Sequence, residues 1–311
     1  MYDVIIIGSG PAGMAAAIYA TRAKLSSVVI DQNYVGGGQV VDTYEIDNYP
    51  GLPGISGMDL GDKMREHAEK LGAQFITDLV VRTELTGPVK KVITEKNTYE
   101  AKTVIIASGA THRKLGVPGE EEFSGRGVSY CATCDGAFYR NKVTVVIGGG
   151  DVAVEDAIFL ARACSKVYVV HRRDELRAAK VLQDNLLSLP NVEMCWSSAV
   201  TEILDHTPDG ESIGKVASVM LKDLKTGDVK PLPVDGVFIA VGITPLSALV
   251  GDQLEMNEGG YIIADETGET SIPGVFAAGD VRNKQLRQIV TAVADGANAV
   301  TSVERYLLQA K

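Results

Sequence analysis

No apolar run in this 311-residue chain approaches the ~18 residues that a membrane-spanning helix requires. A membrane protein is therefore not expected. Met1-Tyr2-Asp3 leads straight into Val4-Ile5-Ile6-Ile7 without the basic stretch that opens a signal peptide, so the expected location is cytoplasmic. Basic residues are in deficit, 30 Lys and Arg against 40 Asp and Glu, and the net charge of −10 argues against nucleic acid as a partner. Histidine and cysteine are scarce, at four each, and His67, His112, His171, His206, Cys164 and Cys195 stand in no metal-ligand spacing. No metal site is expected.

What is present is ordinary in bulk. With 45% hydrophobic and 23% charged residues the composition is that of a globular protein, and the length suits about two domains. One stretch stands out: Cys131-Ala132-Thr133-Cys134-Asp135-Gly136. Two cysteines three apart can close a disulfide on one turn or supply half of a zinc site, and the spacing alone does not choose. In a reducing compartment either use is more expected than a static staple.

Residues 4–7 read as a short buried strand, followed at once by Gly8-Ser9-Gly10-Pro11-Ala12-Gly13, an alanine-rich helical run over 14–24, and a second apolar strand over 27–30 that ends in Asp31. Strand, glycine turn, helix, strand and acid within about 30 residues is the pattern of dinucleotide binding. Gly8 permits the tight turn, Gly10 lets a pyrophosphate approach the backbone, and Gly13 lets the helix pack close to the strand. The helix N-terminus then faces the phosphates. Asp31 stands where a carboxylate accepts hydrogen bonds from ribose hydroxyls.

The same unit returns 140 residues later without a gap: residues 144–171 lie opposite 4–31, with Gly148 for Gly8, Gly150 for Gly10 and Ala153 for Gly13. Ile147, Ala157, Ile158, Arg162, Ala163 and Val169 also repeat Ile7, Ala17, Ile18, Arg22, Ala23 and Val29. Two unrelated helices of like composition would not share this spacing, so two dinucleotide sites are expected. Where the first unit ends in Asp31, the second reads His171-Arg172-Arg173-Asp174, with Arg177 beyond. A carboxylate repels a 2′-phosphate, whereas guanidinium groups bind one through charge-assisted, often bidentate hydrogen bonds. The second site therefore reads as one for NADPH rather than NADH. The plainer alternative, a solvated basic face at the start of a helix, runs against the helix dipole.

Between the two copies, Gly36-Gly37-Gly38-Gln39 is a loop suited to close contact with a flat cofactor, Asp47-Asn48-Tyr49-Pro50-Gly51 is a turn, and 58–71 is a helix. Alternating strands at 80–85, 89–95 and 99–102 read as a β-meander, and an apolar strand at 103–108 ends in Ser108-Gly109-Ala110. A helix is expected over 175–188, strands around 192–195, 217–221 and 234–241, and a long terminal helix over 287–308, after Ala277-Ala278-Gly279-Asp280.

In combination these motifs resemble the low-molecular-weight, bacterial type of thioredoxin reductase, over the full length. The resemblance rests on Cys131-Ala132-Thr133-Cys134-Asp135-Gly136, on Gly148-Gly149-Gly150-Asp151-Val152-Ala153, on His171-Arg172-Arg173-Asp174 and on Ala277-Ala278-Gly279-Asp280. It departs at Asp31, where the family varies, at Ser108 in an Ala-Thr-Gly-like turn, and at Asp151. It implies an α/β fold of two Rossmann-like dinucleotide-binding domains with inserted β-meanders. An FAD domain would be built from residues 1–114 and 246–311, and an NADPH domain of residues 115–245, carrying the cysteines, would be inserted into it. The proline-containing linkers at 114–118 and 243–245 would serve as hinges. FAD would be held by Gly8, Gly10, Ala12, Gly13, Asp31, Gly38, Gln39, Asn48, Gly109, Gly279, Asp280, Arg287 and Gln288. NADPH would be held by Gly148, Gly150, Asp151, Ala153, His171, Arg172, Arg173 and Arg177.

The implied reaction carries hydride from NADPH to FAD, then electrons to the Cys131–Cys134 disulfide, then to oxidised thioredoxin or a thioredoxin-like protein by disulfide exchange. Cys134 would face the flavin, Cys131 would attack the partner, and Asp135 would shuttle a proton, a helix cap being its plain alternative. A homodimer is implied as well. Cysteines and NADPH share one domain, and both must meet a flavin held by the other, so rotation about the linkers is expected. Rival readings fit fewer residues. A ferredoxin-type flavin reductase lacks the cysteine pair, and a peroxiredoxin-reducing relative carries an N-terminal module for which a first strand at residue 4 leaves no room. A relative fed by another donor would be expected to lose the basic cluster. A non-catalytic flavin redox sensor and a zinc-holding module are the alternatives of another class; Cys164 reads as helix packing and Cys195 as a strand core residue.

Overall fold

The computed structural model of the protein describes every residue except 44, 45, 47, 206–213, 310 and 311, and the side chain of residue 42. Asp47 of the expected turn and His206 of the histidine set thus lie outside the described residues. The chain forms two compact units, Met1–Thr111 with Thr244–Lys311, and His112–Ile243, against expected breaks after residues 114 and 245. Among the described residues, no helix is long and apolar enough to cross a membrane.

In the first unit, strand Tyr2–Ile7 runs parallel between strands Ser27–Asp31 and Thr98–Ile106, with Phe75–Thr77 beyond the former. Side-chain alternation explains its unbroken apolar run. Val4 and Ile6 join one core with residues of helices Pro11–Arg22 and Ile289–Gln309, while Ile5 and Ile7 join another with Leu85, Val92, Val250 and Ile262. A parallel strand covered on both faces has no side on which a polar residue is free of cost. Each such Ile or Val contributes roughly 1.5–3 kcal/mol by leaving water.

The expected strands at 99–102 and 103–108 are one nine-residue strand, Thr98–Ile106. Its first half pairs antiparallel with Lys90–Thr94, which pairs in turn with Val80–Glu84; its second half pairs parallel with Val275–Ala277 instead. The exchange of partner takes the strand from half-exposed to fully buried, and that change of pattern reads in sequence as a break.

The second unit repeats the order. Strands Val192–Cys195, Lys166–Val170, Val143–Ile147 and Gly236–Ile239 lie side by side and parallel. Helices Asp151–Ala161 and Lys180–Ser188 contribute to the core on one face. The other face is covered by the antiparallel sheet Ser198–Leu204, Ser218–Asp223 and Val229–Pro233.

The two units share one steric demand. At Gly8, φ is +105° and a Cβ would stand 2.3 Å from the Ala107 carbonyl oxygen; at Gly148, φ is +157° and a Cβ would stand 2.4 Å from the Ala240 oxygen. Ala107 and Ala240 each follow the strand next to the one that leads into the glycine turn of their unit, so the repeat seen in sequence is a repeat of packing.

The helix expected over 175–188 begins only at Lys180. Residues 175–179 are irregular because their donors are engaged elsewhere: Arg177 N–H bonds the Gly149 oxygen at 2.7 Å, and Ala179 N–H bonds Asp151 Oδ1 at 2.7 Å. The arginines are therefore not at a helix start, and the dipole argument against a solvated basic face does not apply to them.

Helix Ile289–Gln309 meets helix Pro11–Arg22 at Gly296, where a Cβ would lie 2.1 Å from the Ala12 oxygen. Gly296→Ala should force the helices apart at a cost of about 1–3 kcal/mol and lower the midpoint of thermal unfolding. An unchanged midpoint would show slack at this contact.

Candidate active site and cofactor-binding residues

Strand Val128–Ser129 pairs with Gly236–Ile239 and passes through Tyr130 into a single helical turn, Ala132–Asp135. Cys131 enters the turn in an extended conformation and is closed to Cys134 as a disulfide, with Cα atoms 5.3 Å apart. Of the two uses of the cysteine pair, this is the redox one. Ala132, fully buried between them, belongs to the core of helix Asp151–Ala161, so the disulfide turn is seated on the helix that follows the second glycine turn.

Asp135 does not cap a helix; its carboxylate accepts from a side chain instead. Ser129 Oγ donates to Asp135 Oδ2 at 2.5 Å and accepts from Cys131 N–H at 3.1 Å. Asp135 Oδ1 is buried without a hydrogen-bond partner. Burial pushes the carboxyl pKa up and the Ser129 bond pulls part of that back. A carboxyl held this way takes up a proton more readily than an exposed aspartate and keeps one oxygen free to exchange it. Sequence reading missed Ser129, whose only signal is its place two residues before Cys131. Cys164 lies just beyond helix Asp151–Ala161 and Cys195 ends its strand; burial pushes both thiols up, away from the thiolate a nucleophile needs.

In the first unit, Asp31 Oδ2 accepts Ser9 N–H at 2.6 Å and Ser9 Oγ–H at 2.8 Å, and Oδ1 accepts Asn33 N–H at 2.9 Å. Three of its roughly four lone-pair sites are thus committed to shaping the glycine turn, which leaves about one for a ribose hydroxyl. Gly37 N–H ties its loop to the Ser9 oxygen at 2.8 Å, and that loop brings Gly38 beside Gly10, with exposed Gln39 next along the chain. Ala12 and Gly13 are buried behind the turn. Asn48 Nδ2 donates to Gln288 Oε1 at 3.0 Å, which joins two residues 240 apart in sequence. Gly109 stands with open space around it.

Among the described residues, three buried groups in this unit have no hydrogen-bond partner, Asp78 Oδ2, Asp280 Oδ1 and Arg287 Nε, and the last two lie near each other. Arg287 also lies over the Tyr261 ring, 4.2 Å from its centroid. Burial pushes the Asp280 carboxyl up, and the Lys284 and Arg287 charges draw it back. A buried acceptor and a buried donor left open, close enough to influence each other's charge, fit a polar cofactor whose hydroxyls and ring atoms complete them.

In the second unit, a Cβ at Gly150 would meet nothing within 4 Å, so a phosphate has room at the start of helix Asp151–Ala161. Asp151 is exposed and holds residue 179; Ala153 is buried under the turn. Arg172, Arg173 and Arg177 are exposed. His171 is not part of that charged set: its ring packs against Gly149, burial holds its pKa below the ordinary 6.5, and Nε2 is buried without a partner. Open phosphate room and three exposed guanidinium groups fit a nucleotide with a 2′-phosphate. Among the described residues, no group of three or more His, Cys, Asp or Glu side chains could hold a metal ion.

A family model described as pyridine nucleotide-disulphide oxidoreductase matches residues 2–296. A thioredoxin reductase of Listeria innocua is 49% identical over 311 residues, covering 100% of this chain and 95% of that protein. One from Bacillus subtilis is 47% identical, covering 99% of this chain and 95% of that protein. The crystal structure of thioredoxin reductase from Streptococcus pyogenes is 51% identical and superposes with a TM-score of 0.91, covering 99% of both chains.

Asp135 has a testable pH signature. A carboxyl whose pKa is raised by folding contributes stability that is fully present below its unfolded value of 3.8 and lost as pH rises through the folded one. Asn cannot ionise. The thermal midpoint of Asp135→Asn relative to the parent should therefore rise steadily from acid to neutral pH. A constant difference would mean that the carboxyl is not raised.

Proposed function

The chain belongs to the thioredoxin reductases of the pyridine nucleotide-disulphide oxidoreductase family, and from that premise we propose how its residues divide the work. It is an oxidoreductase that uses FAD and NADPH. Unit Met1–Thr111 with Thr244–Lys311 is assigned FAD and unit His112–Ile243 is assigned NADPH. Asp31 would repel a 2′-phosphate, whereas Arg172, Arg173 and Arg177 would bind one. Gly10, Gly38, Asp280 and Arg287 are the chief FAD contacts in this reading, with Gln39, Asn48, Gly109 and Gln288 around them. Gly150 and the three arginines hold NADPH.

Bound FAD supplies the one conversion the side chains cannot make, from the hydride of NADPH to electrons a disulfide accepts. The Cys131–Cys134 disulfide takes two electrons and two protons to become a dithiol, and Asp135 carries one of those protons at its open Oδ1. The Cys131 thiolate then attacks a sulfur of oxidised thioredoxin. The S–S bond of thioredoxin breaks, a mixed disulfide forms, and a thioredoxin thiolate leaves. Attack by the Cys134 thiolate on Cys131 Sγ frees the second thioredoxin sulfur and restores the starting disulfide. The observation that carries this reading is the closed Cys131–Cys134 disulfide with the half-satisfied Asp135 beside it, in the same unit as the arginine-bordered turn. Which cysteine does which follows from the family resemblance. A cytoplasmic homodimer belongs to the same reading, and sedimentation velocity tests the assembly.

With Cys131→Ser, NADPH should still bleach the flavin absorbance at the parent rate, while thioredoxin-dependent NADPH oxidation is lost. Retained thioredoxin reduction would sink the role given to Cys131. With Arg173→Ala, one charge-assisted contact worth roughly 1.5–3 kcal/mol goes, so KM for NADPH should rise about ten- to a hundredfold with little change for NADH. An unaltered ratio of the two would remove Arg173 from the 2′-phosphate site.

A further inference from the structure

Asp295 lies on helix Ile289–Gln309, yet its side chain is only 8% exposed and it faces two cations that are equally buried. Arg282 clasps it with both arms, Nε to Oδ2 at 2.9 Å and Nη2 to Oδ1 at 2.7 Å, and Lys284 Nζ reaches Oδ2 at 2.8 Å. Oδ2 also accepts the Gly279 N–H at 2.9 Å. Arg282 Nη1 is turned to the carbonyl oxygens of Ala264 and Asn283, each at 3.2 Å. All of these residues belong to the first unit.

The charges in this cluster do not balance. Two buried cations face one buried anion, and a surplus buried charge is costly unless something opposes it. The residue after Gly279 is Asp280, whose buried Oδ1 has no hydrogen-bond partner. The cluster is also the place where separate parts of the unit meet. Gly296, next to Asp295, abuts the Ala12 oxygen of the glycine-turn helix, and a Cβ at Gly279 would stand 2.9 Å from the Ala12 Cβ.

We infer that Arg282, Lys284 and Asp295 form a positioning unit for FAD: Asp295, held by both cations, anchors the Gly279–Asp280 turn to the terminal helix, and Lys284 supplies a counter-charge to Asp280, the acceptor for the cofactor's hydroxyls. The inference rests on the reading of Asp280 as an FAD contact. Two neighbouring residues of the terminal helix then set the register of both dinucleotide-binding pieces: Asp295 holds the Gly279–Asp280 turn and Gly296 meets the glycine-turn helix. The division of labour between the cations follows from geometry. Arg282 spends its charge on Asp295 in a bidentate pair, while Lys284 makes a single bond and has charge to spare. The electrostatics agree in direction: burial leaves the Asp280 carboxyl raised, and the Lys284 charge, followed by that of Arg287, draws it part of the way back. Burial also pushes Asp295 up, but the bonds from Arg282 and Lys284 outweigh it, so Asp295 stays anionic.

The test is FAD release from the holoenzyme, followed by the recovery of free-flavin fluorescence after dilution. Lys284→Met should speed release about tenfold, the worth of one charge-assisted contact, and Lys284→Arg should stay near the parent. In an Asp280→Asn background, Lys284→Met should add less than it does in the parent, because one of the two carboxylates it faces is gone and only its bond to Asp295 remains to be lost. Asp295→Asn should also release FAD faster, but it risks unfolding the unit, so the Lys284 series decides. If Asp280→Asn leaves release unchanged, Asp280 is not an FAD contact and the reading beneath the inference fails. If Asp280→Asn speeds release while Lys284→Met does not, or if the two effects add in full, the inference alone is overturned.

Discussion

A close crossing of backbone, made twice, is the constraint on which this molecule depends. In each unit the strand that leads into the glycine turn is followed by a glycine that lies under a neighbouring carbonyl oxygen, Ala107 in one and Ala240 in the other, at a distance no side chain tolerates. The turn that follows aims a helix N-terminus outward from the end of a parallel sheet. Such a sheet is buried on both faces, so its strands are mostly apolar, and the chemistry is left to the turns at its end.

On this shared scaffold the two units treat charge differently. The first sets an acid at the end of the second strand and then engages that acid with Ser9 and Asn33, so that Asp31 shapes the turn. The second puts a histidine in the equivalent place, buried against Gly149, and exposes its cations further on. The arginines are presented by an irregular segment that Gly149 and Asp151 hold by their hydrogen bonds to residues 177 and 179. In the proposed reading, discrimination between nucleotides sits in a loop whose form depends on contacts with the second glycine turn.

The redox turn shows the same economy. Its hydrophobic member, Ala132, is packed into the core behind the second glycine turn, which leaves the flanking cysteines and Asp135 at the rim. Ser129 bonds both the Cys131 backbone and the Asp135 carboxylate, so a single hydroxyl sets the entry to the disulfide and the proton affinity of its neighbour. A half-satisfied buried acid is an unfavourable thing to keep in a fold, and its place beside a disulfide gives it a use.

Much of this was legible along the chain. The glycine turns, the strand periodicity, the contrast of Asp31 with Arg172 and Arg173, and the cysteine pair are all local: each needs only a few consecutive residues, and backbone sterics or charge dictates what those residues must be. Contacts between distant residues were decided by tertiary structure alone. Nothing in sequence shows that Asp295 meets Arg282 and Lys284, that Asn48 meets Gln288, or that Thr98–Ile106 exchanges one partner strand for another along its length. The helix expected from residue 175 failed for the same reason, since its first donors are claimed by another turn of the chain. Local patterns determined the two glycine turns and the cysteine pair, because backbone sterics act over a few residues; which buried groups are left without a partner was settled only when the chain brought its distant parts together.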